Sequence, residues 1–301
     1  MKVVKKRTIV ISHIFLILGA ILMLYPLVFA FLGQFVSIEG FYSVGILPLP
    51  QKFSYLFSNL GLIFRRTEIY TSILLTLARF VWYAFILILT SVLGGYAFAK
   101  VKFKFKKVAF YIIMSSMMIP GIALLIPQYL ELMRFPLVGG NDIFGKGGSG
   151  FRDNGALLFI TGCFSAYNIF LVRQMLTQMG DEYKEAAELD GAGFFRIIFS
   201  IYMPMLTPVI ALMVVQTFIG QWNDYLFPMI FLSSARELWP IGVLSVKIQS
   251  DYLSPSGTGG GLMNYPMVMT MGVVMMIPPV IAYICCQKYF VQGLAVGGVK
   301  A

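Results

Sequence analysis

Charge is scarce in this chain. Only 12% of its 301 residues are acidic or basic, against about 25% in an ordinary soluble domain, which is too little to cover a water-facing surface. With 58% hydrophobic residues and a mean hydropathy of +0.82, this excludes a soluble globular protein and a disordered one. Cysteine is scarce too. Cys163, Cys285 and Cys286 all lie in apolar stretches, where they read as small hydrophobes and exclude a disulfide scaffold. A single histidine, His13, leaves no Ser-His-Asp set to assemble. No Cys/His/Asp cluster has metal-ligand spacing, so neither a catalytic site nor a metal site is expected in this chain. What remains is a multi-span membrane protein. Its net charge of +10 has three candidate sources: nucleic acid, anionic lipid, or membrane topology.

A spanning helix needs about 20 mostly apolar residues, because the hydrocarbon core is about 30 Å thick and each residue rises about 1.5 Å. Thr8–Ile38, Val108–Leu130, Asn154–Val172, Ile197–Asn223 and Tyr252–Gln287 contain no Asp, Glu, Lys or Arg, and Ser72–Ala99 contains only Arg79. Six spans are therefore expected, at about residues 9–36, 72–99, 108–130, 154–175, 203–232 and 266–288. None shows the strict alternation of a barrel strand. The expected fold is an all-α integral membrane protein with six transmembrane helices, forming one transmembrane domain over residues 1–301. The basic start, Met1–Arg7, followed by an apolar run resembles a signal peptide, but the run far exceeds the about 7–15 residues of a signal's apolar region. It reads as an uncleaved first helix.

Lys and Arg in short loops set orientation. The N-terminus, Lys100–Lys107, the stretch 173–196 and the residues after span six hold 14 basic residues, and the alternate loops hold eight. Both termini are thus expected to be cytoplasmic. The inner segments net +9 and the outer ones +1, with Arg79 and Asp224 cancelling inside the membrane. The excess is a topology signal, with membrane lipid and not nucleic acid as its neighbour.

Prolines interrupt the spans: Pro120 and Pro127 in the third, Pro204, Pro208 and Pro228 around the fifth, Pro278 and Pro279 in the sixth. Each removes a backbone donor and bends its helix. Ordinary kinks and a pathway lined by bent helices both fit. Arg79 lies a turn or two into the second span and is expected to snorkel to the outer interface. Asp224 is the lone acid of the fifth apolar region and has no evident partner. Gln216, Gly220 and Asn223 recur at i, i+4 and i+7 and share a helix face. With Asp224 they form a candidate translocation face, for which interhelical hydrogen bonding is the alternative role. Gly140–Gly147 matches G-x-x-x-x-G-K but continues with Gly147, where a phosphate loop needs Ser or Thr, and no strand precedes it. Gly139–Gly150, with six glycines, is expected to be a flexible external loop.

The segment between spans four and five carries the clearest signal. Asp181-Glu-Tyr-Lys-Glu-Ala-Ala-Glu-Leu-Asp190 holds five acids among good helix formers. Asp181 can cap the helix N-terminus, and acids in the first turn suit the helix dipole. Gly191 and Gly193 then stop it. Ala186 and Ala187 offer a low-profile surface, and Glu185 and Glu188 at i, i+3 can meet basic groups. This segment nets −2 on a side that is otherwise basic. It also keeps apolar Tyr183, Leu189, Phe194 and Phe195, which a solvated loop does not need, so a docking element is the reading.

At these residues the sequence resembles a known family. Glu185-Ala186-Ala187, then Gly191, then Ile201-x-Met203-Pro204 is similar to the EAA loop of binding-protein-dependent ABC importer permeases, with Met203 where the family has Leu. Gly95-Tyr-Ala-Phe-Ala-Lys-Val-Lys-Phe-Lys104, Met118-Ile-Pro120, Ile126-Pro-Gln-Tyr129, Phe170-Leu-Val-Arg-Gln174 and Gly220-Gln-Trp-Asn-Asp-Tyr-Leu-Phe-Pro228 resemble its carbohydrate type. So does the tail from Gln287. Within that type the likeness is to the second permease of the pair, of the maltose-system G kind. The resemblance implies a subunit that is not itself an enzyme and holds no cofactor. ATP and Mg belong to two separate ATPase subunits. A second permease subunit completes a heterodimer in a bacterial or archaeal cytoplasmic membrane, and an extracytoplasmic solute-binding protein delivers a carbohydrate. It also implies that Glu185, Ala186, Ala187, Glu188, Asp190 and Gly191, about 177–203 in all, form a cytoplasmic coupling helix, and that the tail Gly293–Ala301 reaches the ATPase pair. The alternative is an ion-coupled secondary transporter of a small polar solute, for which only Asp224 and His13 could supply a relay.

Overall fold

The computed structural model describes residues 6–254 and 262–298, with the side chains of 10–254 and 262–288. Lys2, Lys5, Lys300 and the side chains of the tail Gly293–Ala301 lie outside the described residues. Every regular element among the described residues is helical. The longer helices, and the short ones at the site, are α1 (Lys6–Gly33), α2 (Phe53–Phe64), α3 (Thr67–Lys100), α4 (Lys106–Ser115), α5 (Leu125–Met133), α6 (Leu157–Ile160), α7 (Ala166–Gln178), α8 (Glu182–Leu189), α9 (Thr207–Asn223), α10 (Leu226–Phe231), α11 (Ile241–Leu253) and α12 (Tyr265–Gly298).

Three stretches are long and apolar enough to cross a membrane, Val10–Gly33, Thr67–Lys100 and Tyr265–Lys288, and two bent helix pairs raise the number to five if each pair is one span. The prolines account for the bends. The stretch expected as the third span turns by 90° between Lys106–Met118 and Gly121–Met133. Pro120 excludes the helical region for the residue before it, and Ile119 is extended at φ −85°, ψ 116°. Pro127 falls in the first turn of α5, where no intrahelical N–H bond is lost. The stretch expected as the fifth span turns by 80° between Phe194–Met205 and Thr207–Phe231. Pro208 has no N–H for the Pro204 carbonyl four residues back, and the Thr207 hydroxyl donates to that carbonyl instead at 2.6 Å. α12 runs on through Pro278 and Pro279.

The fourth stretch was expected as one helix and is two. α6 and α7 are separated by extended Thr161 at φ −81°, ψ 146° and by Gly162 at φ +80°. No proline marks this break.

By its contacts the chain forms two compact units, Met1–Ile69 with Ser245–Pro278, and Tyr70–Leu244 with Pro279–Ala301. In the first, Asn59 Nδ2 donates to Thr270 Oγ1 at 3.4 Å, and Phe41 stacks on Tyr265 with centroids 5.3 Å apart. In the second, the core gathers Val92, Tyr96, Val172, Leu176, Ala187, Ile197, Ile198, Tyr202, Leu206 and Met213. Gly95 lets α3 and α7 approach closely, because a Cβ there would lie 2.5 Å from Val172 Cγ1. Small residues at helix crossings serve this role in membranes.

Candidate functional site

The segment at 181–202 folds as its sequence suggests, with one exception. α8 spans Glu182–Leu189. Gly191, at φ +74°, ends it: Gly191 N–H donates to Glu188 O at 3.1 Å, and Ala192 N–H donates to Ala187 O at 2.9 Å. This is a Schellman closure, which needs the left-handed residue that glycine supplies. Nothing lies within 4 Å of a Cβ built on Gly191, so its requirement is the backbone conformation and not space.

The exception is Asp181. It makes no side-chain cap bond to the helix. Its Oδ1 accepts instead from Lys100 Nζ at 2.6 Å, and the same ammonium donates to Met179 O at 2.6 Å and Gly180 O at 3.2 Å. Lys100 is the last residue of α3. One buried cation therefore ties the end of a spanning helix to the entry of α8. This hydrogen bond and the charge behind it hold the Asp181 carboxyl below the usual carboxylate range. Sequence reasoning did not single out Lys100 for this role. The signal was its place at the end of the second apolar span, where a cation meets exposed carbonyls.

The outer face of α8 is polar. Glu185, Ala186, Glu188 and Asp190 are exposed, Glu188 pairs loosely with Lys184 at 3.5 Å, and Glu185 makes no ion pair among the described residues. Ala186 and Ala187 separate: Ala186 faces outward, while Ala187 is buried in the core. Leu189 is 90% exposed, and Tyr183, Phe194 and Phe195 are exposed as well. A surface cavity of about 370 Å³ opens beside Ala186, Asp190, Arg196 and Ser200. Directly after it, Ile197–Tyr202 forms a π-helical turn. Such a helix presents small, acidic and apolar groups together and is fastened to a span at its root.

The second group lies on α9. Gln216, Gly220 and Asn223 are exposed together, as their spacing requires, and a Cβ on Gly220 would meet nothing within 4 Å. Asp224 does not share their surroundings. It sits where α9 breaks, at φ −71°, ψ 107°, and its Oδ2 accepts from Arg79 Nη2 at 2.8 Å. Arg79 is 2% exposed, so the expectation that it snorkels to the interface is overturned. Its Nε donates to Leu158 O at 3.3 Å, one of the carbonyls freed where α6 ends. A carboxylate and a freed carbonyl hold the cation inside more strongly than the interface attracts it. The pairing also removes the free carboxylate that an ion relay through Asp224 needs.

The same face of α3 satisfies the rest of the break. Trp82 Nε1 donates to Phe159 O at 2.7 Å, Tyr83 Oη and Thr161 Oγ1 lie 3.4 Å apart, and Thr90 Oγ1 reaches Cys163 O at 3.3 Å. Thr76 Oγ1 accepts from Ile241 N–H at 3.0 Å, at the start of α11.

The glycine-rich loop is tied down, contrary to the expectation of a flexible one. Asn141 Nδ2 donates to Met133 O and Phe135 O while its Oδ1 accepts from Gly148 N–H. Asp153 Oδ1 accepts from Ser234 and Ala235 N–H at 2.8 and 3.1 Å. These backbone donors, Ser234 first, lower the Asp153 carboxyl pKa. Several of its glycines take positive φ, and that lets short backbone bonds close the loop.

Residues 91–296 match the model of the binding-protein-dependent transport system inner membrane component family. The chain is 28% identical over 225 residues to the arabinooligosaccharides transport system permease protein AraQ of Halalkalibacterium halodurans, covering 73% of this chain and 72% of that one. It is 26% identical over 245 residues to the melibiose/raffinose/stachyose import permease protein MelC of Bacillus subtilis, covering 81% of each. With the sn-glycerol-3-phosphate transport system permease protein UgpE of Yersinia pestis it shares 28% identity over 292 residues and 95% of each chain. Its fold is similar to a chain in the crystal structure of a bacterial ABC transporter involved in the import of the acidic polysaccharide alginate, with a TM-score of 0.77 at 24% identity, covering 96% of this chain and 100% of that one. With most of its length inside the family match, its apolar helices and its EAA-type turn, the chain belongs to the binding-protein-dependent transport system inner membrane components, the multi-pass membrane permeases of ABC importers.

Proposed function

We propose that this permease moves a carbohydrate or sugar derivative into the cytoplasm, that it does so paired with a second permease subunit, and that two ATPase subunits bind and hydrolyse ATP with Mg while an extracytoplasmic solute-binding protein delivers the cargo. The chain crosses the membrane six times, with both termini cytoplasmic. Three straight stretches and three broken ones, 106–133, 157–178 and 203–231, each contribute one crossing, because the backbone groups freed at the breaks are satisfied by protein and not by lipid. The observation that carries this reading is α8: an exposed acidic helix, closed by Gly191 and fastened by Lys100 to the end of a span. In this role Glu185, Glu188 and Asp190 meet basic groups of an ATPase, Ala186 lets that surface approach, and Ala187 and Gly191 hold the helix in shape. A displacement of α8 pulls on α3 through Lys100. The exposed face of Gln216, Gly220 and Asn223 lines the pathway, with Asp224 anchoring the break at its end.

The test is uptake of labelled sugars into vesicles carrying the complete assembled transporter. ATP-dependent uptake that Glu185→Lys or Gly191→Asp abolishes, while the subunit still inserts and assembles, is the expected outcome. Uptake that survives both substitutions refutes the coupling assignment. Uptake driven by an ion gradient without ATP refutes the ABC reading altogether.

A further inference from the structure

The turn joining α3 to α4 carries a cluster to which the proposed transport mechanism gives no role. Lys102, Phe103, Phe105, Lys106, Lys107 and Val108 surround a shallow concavity of about 460 Å³. Lys106 is occupied, since its ammonium donates to Ala99 O at 3.1 Å and Val101 O at 2.9 Å. Lys102, Lys104 and Lys107 are exposed and make no hydrogen bond or ion pair among the described residues. No acidic residue occurs in the sequence between Glu68 and Glu131, and Asp181 is already taken by Lys100. Lys102 and Lys107 thus line this concavity, and Lys104 lies on the same turn with its ammonium 5.1 Å from the centre of the Phe105 ring; none of the three has an ion-pair partner among the described residues. Phe105 turns the chain there at φ 62°, and no side chain caps the start of α4, so its first amides have no side-chain acceptor.

An apolar track leads away from these cations. Val108, Tyr111 and Ile112 are 55%, 69% and 64% exposed and fall at i, i+3 and i+4 on α4, so they share a face. Phe103 and Phe105 are exposed beside it. A soluble anion would use the lysines and leave this track bare. A phospholipid uses both parts, with its phosphate at the lysines and an acyl chain along the helix.

We propose that this concavity binds the headgroup of an anionic phospholipid, with Lys102, Lys104 and Lys107 as its cationic rim and Val108, Tyr111 and Ile112 as the path of a chain. It rests on the proposed orientation only for the leaflet, the inner one. The shared chemistry is a phosphate anion, and the aromatic and apolar continuation selects the lipid as its source.

The test uses the complete transporter in nanodiscs of phosphatidylcholine containing phosphatidylglycerol, with retained phosphatidylglycerol counted by native mass spectrometry. Basic residues near an anionic surface each contribute enough that Lys102→Gln, Lys104→Gln and Lys107→Gln together should weaken retention by about 10- to 100-fold. Val108→Ser with Ile112→Ser should weaken it with the lysines intact. A control with the same loss of charge elsewhere, Lys52→Gln, Arg65→Gln and Arg66→Gln, should retain the lipid. Unchanged retention in the lysine variant overturns the proposal. Displacement of the lipid by inorganic phosphate assigns the site to a soluble anion and overturns it too. Loss of the ATPase subunit with unchanged lipid assigns the surface to a protein partner, with the same consequence. A Lys104→Cys variant reads the leaflet separately: a membrane-impermeant maleimide should label it only after the cells are opened. Labelling of intact cells overturns the orientation without touching the lipid count.

Discussion

Removing Asp224 should damage the protein more than removing Arg79, and the difference follows from their burial. The ion pair is 2.8 Å long, with side-chain exposures of 2% for Arg79 and 25% for Asp224. Unit charges about 4 Å apart attract by about 4 kcal/mol at an effective dielectric of about 20, but desolvation of the guanidinium offsets much of this. Asp224→Leu strands a cation that has no route to water, and breaking a buried pair in this way costs about 3–5 kcal/mol. Arg79→Met leaves a carboxylate that solvent already reaches. Its loss is one charged hydrogen bond and the donor to Leu158 O, together about 1–3 kcal/mol. The double variant removes both charges and should be more stable than Asp224→Leu alone, because an apolar pair replaces a buried ionic one at little net cost. The charge-swapped pair should not recover, since a carboxylate at 79 would face the Leu158 carbonyl. The assay is reversible unfolding in mixed micelles, followed by tryptophan fluorescence, as a double-mutant cycle. A cost of Asp224→Leu below about 1 kcal/mol, or single costs that simply add, refutes the reasoning.

Three further outcomes are expected. Gly191→Val should abolish coupled uptake while Gly191→Asn retains most of it, because φ +74° costs a typical L-residue about 1–2 kcal/mol and Asn least; equal uptake by the two variants contradicts the Schellman argument. The Lys100–Asp181 bond lowers the folded carboxyl pKa, so its contribution to stability is present above the unfolded value of about 3.9 and is lost as pH falls through the lower folded one. Protection factors for amide exchange over 179–189, taken against the intrinsic rate at each pH, should therefore fall in acid in the native chain, and Lys100→Met should already be weakly protected at neutral pH; a Lys100→Met variant with native protection there rules the clamp out. Gly95→Ala should destabilise the α3–α7 contact by about 1–3 kcal/mol, because the added methyl meets Val172 Cγ1 at 2.5 Å, Val172 Cβ at 2.6 Å and the Arg173 amide nitrogen at 3.0 Å. A Gly95→Ala variant with native thermal stability means that this close approach is not what Gly95 serves.

The parts legible in the sequence were those governed by local rules. α8 and its stop at Gly191 follow from neighbouring residues alone, and so do the proline bends at Ile119 and Thr207. The exposed face of Gln216, Gly220 and Asn223 needed only helical spacing. What was not legible depends on residues far apart. Arg79 and Asp224 are separated by 145 positions, and reading each charge alone sent Arg79 to the interface and left Asp224 single. One signal was available: Asp224 is the sole acid within the expected spans, Arg79 is the one Lys or Arg more than two residues from a span's end, and unpaired opposite charges in lipid have only each other. Asp181 failed as a cap for the same reason, because Lys100, 81 positions away, competes for its carboxylate. The break at Thr161–Gly162 carried no proline, and its cause is visible only from α3.

Those distant contacts explain why a chain with so little polar surface keeps the polar residues it has. Ser72, Thr76, Arg79 and Tyr83 recur at i, i+4, i+7 and i+11 along α3 and are all buried. An apolar span gains nothing from such a stripe unless it faces backbone that has lost its own partners. Thr76 meets the first amide of α11, Arg79 and Trp82 meet the last carbonyls of α6, Thr90 meets the chain beyond the break, and Lys100 meets the carbonyls leading into α8. The breaks and the stripe therefore require each other. Straight helices would leave the stripe buried without partners, and an apolar α3 would leave the broken helices unsatisfied in lipid. The same helix supports the breaks and ends in the lysine that holds α8, so a force on α8 reaches the broken segments through one rigid element.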